Sequence, residues 1–228
     1  GGLLKHSASN LQRERSPVDA QASTARPQTL FEKIIRRHGA DLAPGQGGFV
    51  RADWRFIHEY YTGMCAHLLH DAYGDALALH EREAIVCFED HLSYVHRSPA
   101  HVSQGLVGGV LGLSRAHRAF AARHGLVDHG YLQALDAGDD KNTGSQGISH
   151  ALMAERYALP GQVVVGTDSH TPHSGALGCV AFGVGTTDIA NAFVRGSVRF
   201  TMPEVLRIEC DGALAPGVSA KDLVLHLL

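Results

Sequence analysis

Short apolar runs alternate with longer amphipathic or small-residue segments along most of the chain. The apolar runs at residues 84–88 and 163–165 are bounded by polar or glycine positions, which is typical of buried strands. Further strands are predicted at residues 49–57, 127–135 and 203–211, helices at 63–72, 103–123, 151–157 and, with interruptions, 175–196, and a loop at 136–147. The alternation of short strands with helices predicts an α/β protein with a largely parallel sheet.

Two helices carry boundary signals of their own. Thr29 followed by Glu32 forms a capping-box pattern at the start of the first helix, and a last amphipathic helix begins near Ser219. Residues 1–28 are polar and without apolar periodicity, so they are predicted to be a disordered lead. The α/β region is therefore expected to occupy residues 29–228.

Composition narrows the class of protein. Of 228 residues, 44% are hydrophobic and 19% charged, with a formal net charge of −3, so nothing indicates nucleic acid as a partner. No apolar run approaches the roughly 18 residues of a membrane-spanning helix. The four cysteines form no CxxC pair, which favours a reducing compartment; we predict a cytoplasmic protein, with a mitochondrial location left open for a eukaryotic source.

The sequence holds 16 histidines, and some of them follow predicted strands beside carboxylates. Asp90-His91 follows the strand at 84–88, Asp168-Ser169-His170 follows the strand at 163–165, and His150 begins a helix. Because the carboxyl ends of parallel strands share one edge of a sheet, these groups are expected to converge. A carboxylate bonded to an imidazole can deliver or accept a proton near neutral pH.

His58-Glu59 makes a further acid-histidine pair after the strand predicted at 49–57, and a structural role is the simpler interpretation for it. Other interpretations remain open for the main groups. Asp168 or Ser169 could be an N-cap of the next helix. Ser169 could be a nucleophile with His150 or His170 as its base, although it lacks the G-x-S-x-G elbow.

A mononuclear metal hydrolase is another alternative that the residues leave open. It would use as ligands the acidic and histidine side chains named above: Asp90, His91, His150, Asp168 and His170. The sequence contains no H-E-x-x-H or similar spacing that would support this hypothesis independently.

Several stretches together resemble the aconitase superfamily, and within it most closely the branch of 3-isopropylmalate dehydratase large subunits and homoaconitases. The longest is VVVGTDSHTPHSGALGCVAFGVGTTDIAN at 163–191, which carries the superfamily signature. Shorter similar stretches are HEYYTGM at 58–64, FEDHL at 88–92, GISHALMAERYALPGQ at 147–162 and LRIECDGALAPGVSAKDLVLHLL at 206–228. The resemblance therefore extends over most of residues 29–228.

The resemblance implies a three-layer α/β/α fold and a hydro-lyase that moves water on a hydroxylated di- or tricarboxylic acid. Its best match is a 3-isopropylmalate dehydratase large subunit; aconitate or homoaconitate hydratase is the alternative within the family. It also implies a small hydroxy-carboxylic acid as substrate and a small, swivelling subunit or domain as partner. A non-catalytic accessory domain is the alternative from another class.

The resemblance also assigns roles to residues of this chain. His91 would protonate the leaving hydroxyl, with Asp90 as its partner. His150 and Asp168 would form a second pair, with His170 beside them, and Ser169 would bind a substrate carboxylate.

Members of the family carry a [4Fe-4S] cluster, but this sequence lacks the segments that bind it. The family holds the cluster on three cysteines, in a GSCTN-like segment and a CxxC segment, and neither segment is present here. We therefore assign no metal ligand, and none of Cys65, Cys87, Cys179 and Cys210 is taken as a cluster cysteine. The chain is expected to be the N-terminal part of a large subunit, inactive by itself.

Overall fold

The computed structural model describes residues 27–92, 100, 103–105, 107–130 and 148–228. The helices are α1 (Leu30–Arg37), α2 (Glu59–Tyr73), α3 (Val107–His124), α4 (Ser149–Leu152), α5 (Thr186–Arg195) and α6 (Ala220–Leu227). The strands are β1 (Gly47–Arg51), β2 (Trp54–His58), β3 (Ile85–Phe88), β4 (Val127–His129), β5 (Val163–Gly166), β6 (Val180–Gly183) and β7 (Ser197–Thr201). The π-helical turn Met153–Tyr157 extends α4, and 3₁₀ turns occupy Gly74–Ala76, Arg82–Ala84 and Thr171–Leu177.

Five strands form the main sheet in the order β4-β3-β2-β5-β6, and every neighbouring pair is parallel. Strands β3 and β5 are buried along their whole length, which explains why they are continuous apolar runs rather than alternating ones. Because all five strands point the same way, the residues that follow β2, β3 and β5 lie at one edge of the sheet.

Helices cover the sheet on both faces. On one face, Ile57, Cys87 and Val165 belong to a core cluster that includes side chains of α2, α3 and α5. On the other face, Phe56 belongs to a second cluster, in which Met153 comes from the π-helical turn after α4. Successive strand residues thus face opposite layers, and the fold is the predicted three-layer α/β/α arrangement with a parallel sheet.

The predicted strand at 49–57 is in fact two strands that belong to different sheets. The extended segment is interrupted at Ala52-Asp53. Before the interruption, β1 pairs antiparallel with β7 in a two-stranded ribbon; after it, β2 belongs to the main sheet. In this ribbon Phe49 lies opposite Arg199. The prediction was wrong because the apolar pattern continues across the break and does not mark the change of partner.

Two further predictions near the end of the chain were wrong. The strand expected at 203–211 does not form, and the side chains of 203–211 are exposed. The nearest strand is β7, which ends at Thr201. The interrupted helix expected at 175–196 contains strand β6, which pairs with β5. Its sequence, Val-Ala-Phe-Gly, is too short for periodicity to separate a strand from a helix.

Both helices with boundary signals in the sequence form as predicted. Thr29 and Glu32 make the reciprocal capping-box contacts before α1, and Ser219 makes the same contacts with Asp222 before α6. The polar lead up to residue 26, the end of the strand predicted at 127–135 and the loop at 136–147 lie outside the described residues. Within the described ranges, no helix combines the length and apolar character needed to cross a membrane.

Candidate active site

Four imidazole rings surround the carboxylate of Asp168, which lies just after β5. Asp168 is itself 9% exposed. Its oxygens lie 3.0 Å from His91 Nε2, 3.0 Å from His170 Nδ1, 3.4 Å from His150 Nε2 and 3.7 Å from His58 Nε2. These rings come from different strand ends and from α4, so the convergence expected of a parallel sheet is present.

Asp90, just after β3, joins two parts of this cluster. Its Oδ1 lies 2.7 Å from His91 Nδ1, and its Oδ2 accepts the backbone N–H of Ser149 at 2.7 Å. The first contact places the His91 ring between two carboxylates, those of Asp90 and Asp168. The second fixes the start of α4, the helix that carries His150.

These contacts shift the pKa values of His91, Asp90 and Asp168. The hydrogen bond to Asp90 raises the pKa of His91 to about 8, against the opposing effect of burial. Burial acts to raise the pKa of Asp90, but hydrogen bonds from His91 and Ser149 outweigh it and hold that pKa well below its usual range. The same balance, with His170 as the donor, lowers the pKa of Asp168. An imidazolium held between carboxylates can release a proton near neutral pH.

His58 is a member of the cluster that the sequence did not mark as a site residue. Its ring is buried, lies 4.4 Å from the His91 ring between centroids, and has its Nδ1 3.0 Å from Thr167 Oγ1. Burial lowers the pKa of His58 to about 4, so the ring is neutral. The sequence signals were the His58-Glu59 pair after a predicted strand and the family-like stretch at 58–64, and the strand order that makes β2 the central strand cannot be read from the sequence.

Ser169 and His170 form the exposed rim of the cluster. His170 is 81% exposed, and Ser169 Oγ lies 3.3 Å from His170 Nδ1. Asp168 accepts the backbone N–H of His170, so it stabilises the turn locally while it also faces the other rings. The N-cap of the 3₁₀ turn that follows is His170, without a capping hydrogen bond from its side chain, so neither Asp168 nor Ser169 is that N-cap.

The metal-binding alternatives can be tested against the donor atoms. Histidine and carboxylate atoms that could hold an ion come within 4.8 Å of one another in three overlapping groups, built from His58, His91, Asp168, His150, His170, Glu59 and Asp90. Several of these atoms already hydrogen-bond to one another. All four cysteines of the sequence are described, and none belongs to these groups. The cysteines thus do not fit the three-thiolate ligand set of a [4Fe-4S] cluster.

From the shifted pKa values of His91 and His58, we predict that the chain is most stable near pH 6.5. The pKa of His91 is about 8 in the folded chain, so its stabilising contribution is complete below its ordinary value of 6.5 and is lost as the pH rises through 8. The pKa of His58 is about 4, so stability falls as the pH drops from 6.5 toward 4. We expect urea denaturation to give the largest free energy of unfolding between these two limbs.

The Asp90→Asn variant separates the contribution of His91 from that of other groups. The ring is 36% exposed, so its contribution to the alkaline decline is about 1 kcal/mol after allowance for solvent screening. The variant should lose that part. His38, whose pKa is raised by Asp53 against the effect of burial, contributes to the decline in both proteins. An equal decline in both proteins would contradict the assignment to His91.

Fold and site together define an α/β protein with a histidine–carboxylate site at the carboxyl edge of a parallel sheet. A family model described as the aconitase family (aconitate hydratase) matches residues 63–228. This chain therefore belongs to the aconitase family.

Similar curated proteins are named as large subunits of 3-isopropylmalate dehydratase. The protein from Elusimicrobium minutum is 32% identical over 203 residues, which cover 89% of this chain and 43% of that protein. Large subunit 1 from Thermotoga maritima is 31% identical over 88% of this chain and 42% of its own length. The protein from Syntrophus aciditrophicus is 49% identical over a shorter stretch, 37% of this chain and 20% of that protein. The chain spans less than half the length of these relatives.

Proposed function

We propose that this chain supplies the proton-transfer and carboxylate-binding side chains of a hydro-lyase of the 3-isopropylmalate dehydratase large-subunit type. One observation carries the proposal: the predicted residues Asp90, His91, His150 and His170 all gather around Asp168. Removing water from a hydroxy acid requires a proton for the departing hydroxyl, and this cluster holds one. The names of the similar proteins support the same chemistry.

His91 is the group proposed to protonate the leaving hydroxyl. Its pKa of about 8 keeps the ring protonated at neutral pH yet close to the pH at which it can give up the proton. Asp90 fixes the orientation of the ring through Nδ1 and stabilises its charge. Asp168 lies on the other side, 3.0 Å from Nε2.

His150 and Asp168 are proposed as a second proton-transfer pair, with His150 Nε2 3.4 Å from Asp168 Oδ1. Burial lowers the pKa of His150, so its ring is suited to accept a proton rather than to give one. Ser169 and His170 stand at the exposed rim, where they can donate hydrogen bonds to a carboxylate of the substrate. The proposed substrate is a small hydroxy-carboxylic acid.

The partner and compartment are proposed on the same basis. Relatives named as large subunits imply a small subunit, so we propose that a small, swivelling subunit or domain completes the site. We propose no nucleic-acid or membrane partner, and a cytoplasmic location. The family's [4Fe-4S] cluster does not fit the cysteines present.

The 228-residue chain by itself is expected to bind no cluster and to catalyse nothing. Cys65, Cys87 and Cys179 are buried, and burial raises the pKa of each thiol, which disfavours the thiolate needed for iron. Anaerobic incubation with iron and sulfide should leave no stable brown chromophore after gel filtration. A stoichiometric cluster with turnover would contradict the prediction.

A chimera tests the function itself. This chain would replace the matched portion of the Elusimicrobium minutum protein, and the product would be assayed with its small subunit on 3-isopropylmalate. Formation of the unsaturated acid, followed by ultraviolet absorbance, supports the proposal. Turnover only with citrate or homocitrate would instead support the aconitate or homoaconitate hydratase alternative. A folded chimera with its cluster but without turnover on any of these acids would support the accessory-domain alternative.

A further inference from the structure

Glu59 is a fully buried carboxylate in the first turn of α2, directly after the central strand β2. Its Oε1 accepts two backbone N–H groups, that of His91 at 2.9 Å and that of Leu92 at 2.6 Å. Those amides follow β3, the neighbouring strand. The Glu59 side chain, directly after β2, therefore binds the main chain at His91 and Leu92.

The buried position of Glu59 requires a reason, because a carboxylate out of water is costly unless it is hydrogen-bonded. Burial raises the pKa of Glu59, which shows how unfavourable the charge is at this position. Its Oε2 is buried without a hydrogen-bond partner among the described residues, so the two amides on Oε1 are the contacts that offset the cost. A residue that only filled space here could be apolar.

A carboxylate also accepts a main-chain N–H beside two other histidines of the cluster, His150 and His170. Asp90 accepts the backbone N–H of Ser149, directly before His150, and Asp168 accepts the backbone N–H of His170. In each case a carboxylate fixes the main chain beside an imidazole. Asp90 and Asp168 also contact imidazole rings, whereas the described hydrogen bonds of Glu59 reach only the main chain.

We propose that Glu59 is a positioning residue for His91, acting through the His91 and Leu92 amides to keep the ring between Asp90 and Asp168. The inference rests on the proposed function for the role of His91, but the contacts themselves do not depend on it. Without the Oε1 acceptor, the amides of His91 and Leu92 lose their contacts to α2. The ring is then free to leave the two carboxylates.

Amide hydrogen exchange in the full 228-residue chain tests the proposal. In Glu59→Ala, exchange at His91 and Leu92 should rise by about 10-fold or more, as expected when hydrogen bonds to a carboxylate are lost. The titration midpoint of the His91 ring, followed by NMR, should move from near 8 toward 6.5. Glu59→Gln keeps an Oε1 acceptor and should restore the exchange rates most of the way, while the His91 midpoint stays lower by the part that the Glu59 charge itself contributes.

Glu32→Ala is the matched control, because it removes another buried carboxylate that accepts a backbone N–H, here at the start of α1. It should leave exchange and titration at His91 unchanged. If Glu59→Ala does not fold, Glu59→Asp serves instead, since it keeps the charge but withdraws the acceptor by one methylene. A merely structural role would raise exchange equally at Val86 and Val164 within the sheet.

Unchanged exchange and an unchanged His91 midpoint in a folded Glu59 variant would overturn the proposal. So would failure of Glu59→Gln to restore the exchange rates that Glu59→Ala or Glu59→Asp raises. None of these measurements needs turnover. Failure of the hydro-lyase assay would therefore leave this result standing, and an overturned role for Glu59 would leave the hydro-lyase assay to be judged by itself.

Discussion

A chimera that carries His91→Asn is expected to turn over its hydroxy acid roughly 10²- to 10⁴-fold more slowly than the unsubstituted chimera, the usual contribution of a general acid. An asparagine amide can still donate to Asp90 from near the position of Nδ1, so the site should stay assembled. It cannot release a proton to a departing hydroxyl. The loss should therefore fall on kcat, with a much smaller change in KM.

His67→Asn is the matched control, because it makes the same substitution at an exposed position on α2. It should leave kcat within about twofold of the unsubstituted chimera, as is usual for surface changes away from a site. Circular dichroism of both variants checks that the fold is intact. Equal turnover by the His91 and His67 variants would remove His91 from the proposed mechanism.

Gly166→Ala is expected to destabilise the chain by about 3 kcal/mol or more, the upper range for overpacking a core. A Cβ at Gly166 would lie 2.2–2.6 Å from three atoms of the Phe56 ring, which stands opposite it in the pairing of β2 with β5. Phe56 is 1% exposed and packs edge-on against the Phe88 and His150 rings, so it has no free direction in which to move. Urea denaturation of the 228-residue chain measures the loss.

Gly112→Ala provides a control of opposite sign, since an added Cβ there meets no atom within 4 Å and the position is inside α3. It should stabilise the chain by about 0.5–1 kcal/mol. The double variant Gly166→Ala, Phe56→Ala should cost less than the sum of the two single changes, because the second change removes the clash. Additive costs would show that the Phe56 ring is not the obstacle.

The sequence was most informative where chemistry and strand ends coincide. Asp90-His91 and Asp168-Ser169-His170 each follow a short apolar run, and a parallel sheet brings such positions to one edge. The meeting of these groups with His150 around one carboxylate was therefore predictable in kind. That Asp168, rather than Asp90, would be the central group depends on distances that no sequence pattern gives.

The role of Glu59 was not predictable for a related reason. Its partners are backbone amides of His91 and Leu92, and main-chain donors leave no trace in the sequence. The missed strand β7 shows the same limit, because its pairing with β1 joins Arg51 to Ser197 across most of the chain. Partners that distant are set by the packed fold and not by local periodicity.

The central place of β2 and β5 has a consequence for how the protein acquires its site. His58 and Thr167, whose side chains touch at the heart of the cluster, are separated by 109 residues along the chain. Closing a loop of that length carries an entropic cost before its contacts form, so such pairings are slow to appear during folding. An early intermediate that lacks β5 can pair Asp90 with His91 and hold the His91 main chain on Glu59, but it lacks the Asp168 carboxylate that joins the four rings. The complete cluster should thus assemble late in folding, when β5 brings Asp168 to the rings that follow β2 and β3.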